Sequence, residues 1–117
     1  MSSPDHCVFC RIVARKAPAV VVYQDEWVTA FRDVREVAPT HVLVIPNQHL
    51  TSLEELSTAD LTLGGRLLWT AQQVARQEGV AGSGYRVIIN TGPDSGQIIP
   101  HLHLHVLGGR PMRYPIG

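Results

Sequence analysis

Three of the six histidines stand two residues apart, at His101, His103 and His105, with Leu102, Leu104 and Val106 between and after them. In a β-strand alternate side chains share a face, so the pattern predicts three imidazoles on one surface and a Leu-Leu-Val row in the core behind. The apolar row locks the register, because a slip of one residue would bury the rings and expose the leucines. The chain's two cysteines, Cys7 and Cys10, form a C-x-x-C pair.

Backbone positions two apart in a strand are separated by about 6.7 Å, and the outer pair by about twice that. Two neighbouring rings can converge on one metal at bonds of about 2.0–2.1 Å, but three in a regular strand reach it poorly. At most part of the row therefore ligates a single ion, and the remaining rings have other work. That work fits phosphoryl or nucleotidyl transfer. Imidazole is a competent nucleophile near neutral pH, and a second imidazole can donate to a leaving group or a phosphate oxygen. The segment Gly92 to Gln97 just ahead is rich in turn residues and can present backbone N–H groups to phosphate. The cysteine pair supports three readings: a redox pair, half of a zinc site, or a buried pair. A thioredoxin-type pair would belong in a βαβ context, whereas this one precedes the first strand-like segment. Structural zinc needs four Cys or His ligands, two of them from elsewhere in the chain.

Residues 6–15 place Val8, Phe9, Ile12 and Val13 at helical spacing, which predicts a short amphipathic helix ending before Pro18. Val20–Tyr23 and Trp27–Phe31 read as a hairpin, and His41–Pro46 as a central strand. A long helix is expected from Ser57 to Glu78. Ser57 and Asp60 are spaced as a capping box, Leu61, Leu68, Ala71 and Ala75 share a face, and Gly79 is the stop. Gly64 and Gly65 would allow close approach beneath it. Tyr85–Asn90 and His101–Leu107 complete five strands. Short connections favour antiparallel pairing, so the class is α+β, with one sheet face under the long helix and the other free for a ligand.

A chain of 117 residues fits one compact domain, residues 1–117. Ten Lys and Arg balance ten Asp and Glu, so no basic field points to nucleic acid or anionic lipid. No apolar run approaches the about 20 residues of a membrane span, and Met1 to Asp5 does not open a signal peptide. A cytoplasmic protein without nucleic-acid or membrane partners is the expectation.

The run Gly96-Gln97-x-x-x-His101-x-His103-x-His105-Val-Leu-Gly-Gly-Arg110 resembles the signature of the histidine triad (HIT) superfamily of nucleotide hydrolases and transferases. Its Gly108-Gly-Arg-Pro-Met112 ending is similar to the Hint branch, whose members hydrolyse adenosine 5′-phosphoramidates. The likeness extends to Ala38–Pro46 and to Cys7-Val-Phe-Cys10-Arg-Ile, and so covers nearly the whole chain. It implies a five-stranded antiparallel meander with one long helix and a short N-terminal helix, the sheet continued across a homodimer. It implies that His103 attacks the α-phosphorus to give a nucleotidyl-histidine, which water then cleaves to the monophosphate. His105 matches the position that contacts phosphate and supports the leaving group, and His41 matches a supporting fourth histidine. Asp33 and Asn90 match positions that hold the ribose and shape the nucleotide site, and Gln97 one beside the phosphates. Phe9, Ile12, Phe31 and Val34 fall where the family forms its apolar base pocket. In the zinc-bearing members the ligands match Cys7, Cys10, His49 and His101, which implies a structural zinc and leaves His103 and His105 to the substrate.

The chain departs from the Hint pattern at Ile98, where a Ser usually follows Gly-Gln, and isoleucine can neither donate nor accept a hydrogen bond. This departure is expected to slow phosphoramidate cleavage or to move preference to another leaving group. Pro100 removes a backbone donor ahead of the histidines, and Tyr114 stands where the family's tail can reach the partner's site. The leading reading is a hydrolase of purine nucleoside phosphoramidates or related nucleotidyl conjugates. Three alternatives are a dinucleoside polyphosphate hydrolase or phosphorylase, a nucleotide-binding regulatory protein with incidental turnover, and a metal-only structural module.

Overall fold

The computed structural model describes residues 6–113; Tyr114 lies outside them. Strands β1 (Val21–Gln24), β2 (Val28–Arg32) and β3 (Thr40–Pro46) form an antiparallel meander. After α2 (Leu61–Gln77), β4 (Tyr85–Ile89) takes an outer place and β5 (Leu104–Gly108) returns between β4 and β3. The order is β1-β2-β3-β5-β4, antiparallel throughout. The meander expected from the sequence thus runs through three strands, and the last two enter in reverse. Because of that reversal the histidine strand is paired on both sides and β4 is left as an edge.

The central position of β3 follows from its composition. Thr-His-Val-Leu-Val-Ile-Pro is buried along its whole length, as a run of β-branched and apolar residues between two other strands requires. Two cores sit on opposite faces of the sheet. On one face α2 packs Leu63, Leu67, Val74 and Ala75 against Val28, Val42, Val44, Leu102, Leu104 and Val106. On the other, α1 (Val8–Val13) brings Phe9, Cys10 and Ile12 onto Phe31, Leu43 and Ile45. Burying an aliphatic or aromatic side chain of this size contributes about 1.5–3 kcal/mol, so each face is held firmly. Val8, assigned by spacing to the same stripe as Phe9, is instead exposed.

Ser57 and Asp60 form the expected capping box, but on a 3-10 turn, Thr58–Asp60, that precedes α2. The buried stripe of α2 is Leu63, Leu67, Thr70, Ala71, Val74 and Ala75. Leu61 and Leu68, read from the sequence as part of that stripe, are 73% and 60% exposed. At about 100° per residue the stripe centres on Leu67 and Val74, and Ala71 and Ala75 lie at its margin, so extrapolating from the alanines rotates it toward solvent. Among the described residues nothing lies within 4 Å of a Cβ placed on Gly64 or Gly65, so the expected close approach does not occur among them. The close approach is at Gly108, where a Cβ would stand 2.8 Å from that of Val80. Among the described residues no helix is long and apolar enough to cross a membrane.

Candidate functional site

The ladder claims only Leu104–Leu107 of the predicted histidine strand and adds Gly108, yet the alternation runs on through the three residues before it. Leu102 is buried in the helix-side core, while His101 and His103 turn to the other face and meet Phe9 edge-on at centroid distances of 5.8 and 5.4 Å. His105 follows on the same face, its ring 5.0 Å from that of His103. The three rings nevertheless divide between two environments.

His101 is fully buried and belongs to a cluster with Cys7, Cys10 and His49, whose ligand atoms all lie within 4.8 Å of one another. Its Nδ1 is 3.3 Å from Cys7 Sγ and 3.6 Å from Cys10 Sγ, and His49 Nδ1 is 3.2 Å from Cys10 Sγ. A zinc tetrahedron with bonds of about 2.0–2.3 Å has ligand-to-ligand edges of about 3.3–3.8 Å, so this donor set fits zinc. The surroundings prepare it. The carbonyl of Pro46, 3.0 Å from His101 Nε2, can only accept; the ring proton therefore sits on Nε2 and Nδ1 keeps its lone pair toward the sulfurs. Burial holds the His101 ring down to about 4, so it is neutral at pH 7. Burial, then the hydrogen bond and charge of Cys7, push the Cys10 thiol up to about 11, so a thiolate there needs a cation beside it. Cys7 caps α1, its Sγ accepting from the Cys10 N–H at 3.4 Å.

His103 and His105 line a cavity of about 570 Å³. The backbone sets their tautomers. His103 Nδ1 lies 2.7 Å from the carbonyl of His101, an obligate acceptor, so Nδ1 carries the proton and Nε2 is a bare lone pair. At His105 the logic reverses. The Val37 N–H donates to His41 Nδ1 at 3.2 Å, which leaves the His41 proton on Nε2. That proton faces His105 Nδ1 at 2.9 Å and Asp33 Oδ2 at 3.2 Å. His105 therefore accepts at Nδ1 and carries its own proton on Nε2. One ring therefore keeps a free lone pair at Nε2 and its neighbour a ring proton at Nε2.

Asp33, Asn90, Gln97, Phe9, Ile12, Phe31 and Val34 all line the same cavity, together with Ile98 and Ile99. Some are already committed. The Gln97 side chain accepts from the Gly92 N–H and donates to the Thr51 and Ile99 carbonyls, so it staples the loop and has no polar atom left for phosphate. Asn90 donates to the Ser95 carbonyl, and Asp33 Oδ1 accepts from the Arg35 N–H. Val34 is 93% exposed and sits on the rim, whereas Phe9, Ile12 and Phe31 are buried walls. The Ile98 and Ile99 N–H groups meet no acceptor among the described residues. Leu43 was not anticipated as a wall. Its register opposite His105 places it on the same face, a relation that needs the β3–β5 pairing to be known.

Two imidazoles of opposite tautomer over a nucleotide-sized cavity, on this sheet and beside a Cys2His2 cluster, define a histidine-triad architecture. The chain belongs to the HIT domain family, whose model matches residues 14–112. It is 44% identical over 108 residues to the purine nucleoside phosphoramidase of Escherichia coli K12, covering 92% of this chain and 91% of that one. It is 46% identical over 112 residues to a 14 kDa zinc-binding protein of Zea mays, covering 94% and 87%. A crystal structure of a HIT family hydrolase from Legionella pneumophila superimposes with a TM-score of 0.91 at 41% identity, over 95% of this chain and 99% of that one.

Burial lowers the proton affinity of His41, and burial, then the neighbouring His103 and His41, bring His105 down to about 4. In the unfolded chain these rings titrate near 6.5. Between about pH 6.5 and 4 the unfolded state therefore binds more protons, so this contribution to stability is complete above 6.5 and is lost as the pH falls toward 4. Urea midpoints at pH 7.5, 5.5 and 4.5 are expected to fall in that order. A midpoint constant over that range would contradict the buried neutral rings.

Proposed function

We propose that the chain, as a single domain over residues 1–117, is a nucleotide hydrolase. It cleaves the P–N or P–O bond of purine nucleoside 5′-phosphoramidates or related nucleotidyl conjugates and releases the nucleoside monophosphate. The observation that carries this reading is the bare Nε2 of His103 beside the protonated Nε2 of His105, both lining one cavity. Similarity to a purine nucleoside phosphoramidase supports the substrate class. Phe9, Ile12 and Phe31 would sandwich the base, Asp33 and Asn90 would hold the ribose end, and the Ile98 and Ile99 N–H groups would meet phosphate oxygens.

In the first step His103 Nε2 forms a bond to the α-phosphorus as the P–N bond breaks, and the departing amine takes the proton on His105 Nε2. The His41–His105 pair takes up one further proton with the substrate, because the incoming phosphate's negative charge offsets the burial that otherwise keeps the rings neutral, so the pair is left neutral once the amine has its proton. In the second step water bonds to phosphorus, returns a proton to His105 Nε2, and the P–Nε2 bond breaks. The His101 carbonyl steadies the positive charge on the substituted His103 ring through its Nδ1 proton. Asp33, 3.2 Å from His41 Nε2, favours the positive charge that the pair carries while it holds the extra proton.

Zinc at Cys7, Cys10, His49 and His101 would be structural, tying α1 to the histidine segment. With four protein ligands it leaves no open position for water. The exposed edge of β4, with Tyr85 and Val87 on it, supports a homodimer in which a second copy continues the sheet. A cytoplasmic setting fits thiols kept available for a metal.

Release of AMP from adenosine 5′-phosphoramidate tests the hydrolase. Wild type is expected to turn over, and folded His103→Ala to lose more than about 10³-fold in kcat/KM. Equal activity in the two would contradict the reading, while wild-type turnover confined to dinucleoside polyphosphates would favour that alternative. Native mass spectrometry of protein purified without chelator is expected to show two chains carrying two zinc ions, with zinc lost in Cys7→Ser. A metal-free single chain that remains folded would contradict both the zinc and the dimer.

A further inference from the structure

Two arginines line the main cavity, Arg32 and Arg35, and they differ in what holds them. Arg32 closes a two-bond fork on Glu78, at 2.6 and 2.9 Å. Arg35 is exposed, and its guanidinium has no hydrogen bond or ion pair among the described residues, the neighbouring Glu36 included. Its backbone is nevertheless fixed. The Arg35 N–H donates to Asp33 Oδ1 at 2.8 Å, while Asp33 Oδ2 lies 3.2 Å from His41 Nε2. The free cation therefore stands within one side chain's reach of the carboxylate assigned to the ribose.

We infer that Arg35 makes the ribose end of the cavity a phosphate subsite, selecting nucleotides that carry a phosphomonoester on the ribose 2′ or 3′ oxygen. The inference rests on the hydrolase reading above, which puts the ribose at Asp33, and names the substrate class more closely. The two side chains are complementary in what they bind. A carboxylate only accepts hydrogen bonds, and a guanidinium only donates them. Each oxygen of Asp33 keeps a lone pair after its bond within the chain. A free ribose brings two neutral hydroxyls, which offer an exposed guanidinium little that water does not. A ribose with one hydroxyl esterified brings one donor and one dianion. Asp33 accepts from the first, and Arg35 holds the second through paired, charge-assisted bonds. Without the arginine, Asp33 would repel that dianion, so Arg35 decides the sign of the preference. The direct effect falls on which nucleotide is accepted, with bond breaking left to His103 and His105.

The test measures calorimetric binding of AMP, adenosine 2′,5′-bisphosphate and adenosine 3′,5′-bisphosphate to wild type, Arg35→Gln and Arg35→Lys, each purified without chelator. None of the three carries a leaving group on its 5′-phosphate, so dissociation constants are read without turnover. In wild type at least one bisphosphate is expected to bind about tenfold more tightly than AMP, the scale of a single hydrogen bond to a charged group. The one that gains more identifies the esterified oxygen. Arg35→Gln is expected to bind it no better than AMP, and Arg35→Lys to keep part of the advantage. Raising the salt concentration is expected to narrow the advantage in wild type, because the pair is exposed to screening. Bisphosphates that bind wild type no better than AMP, or an advantage that survives Arg35→Gln unchanged, overturn the subsite while leaving the hydrolase reading intact. Failure of folded wild type to bind any of the three overturns both.

Discussion

A neutral imidazole has one ring proton to place, and at His103 the carbonyl of His101 claims it across 2.7 Å. The other nitrogen is left as an unprotonated donor of electrons facing the cavity. The carbonyl that does this belongs to a residue whose own side chain is fixed twice, by the Pro46 carbonyl at Nε2 and by the cysteine sulfurs at Nδ1. His101 thus serves two sites at once. Its side chain closes the Cys2His2 cluster and its backbone carbonyl sets the tautomer of His103, so loosening the cluster would loosen that tautomer as well.

The sheet makes this coupling stiff. Leu102, Leu104 and Val106 are buried beneath α2, and the register of β5 with β3 and β4 fixes which face each histidine occupies. On that face the smaller core around Phe9, Phe31 and Leu43 serves as the cavity's apolar wall. The His41 contact with His105 is likewise set by strand geometry. His41 and His105 lie two steps apart on the paired strands β3 and β5, and their rings meet over Leu43, which stands directly opposite His105.

Much of this was legible in the residues because alternation is a local rule with a large penalty for error. The histidine face, the central burial of His41–Pro46 and the Ser57–Asp60 box each depend on spacings of a few residues; the first two are where the spacing puts them, and the box forms on the 3-10 turn just ahead of the long helix. The resemblance carried the rest of the site inventory, and the cavity does gather those residues. What spacing did not convey depends on distant partners. The return of β5 between β3 and β4 is a packing choice, and with it come the edge at β4 and the wall at Leu43. The tilt of the α2 stripe is decided by what lies beneath it, so Leu61 and Leu68 end in solvent. Gln97 matches a position beside the phosphates, and its amide bonds Gly92, Thr51 and Ile99, contacts that exist only after the loop has closed.

The opposed tautomers of His103 and His105 are the centre of this account, and nitrogen-15 NMR of the imidazole rings observes them directly. At pH 7.5, where burial keeps His105 neutral, the long-range proton–nitrogen correlations are expected to place the His103 proton on Nδ1 and the His105 proton on Nε2. A His103 ring protonated on Nε2 would have no lone pair for phosphorus and would contradict the nucleophile assigned to it.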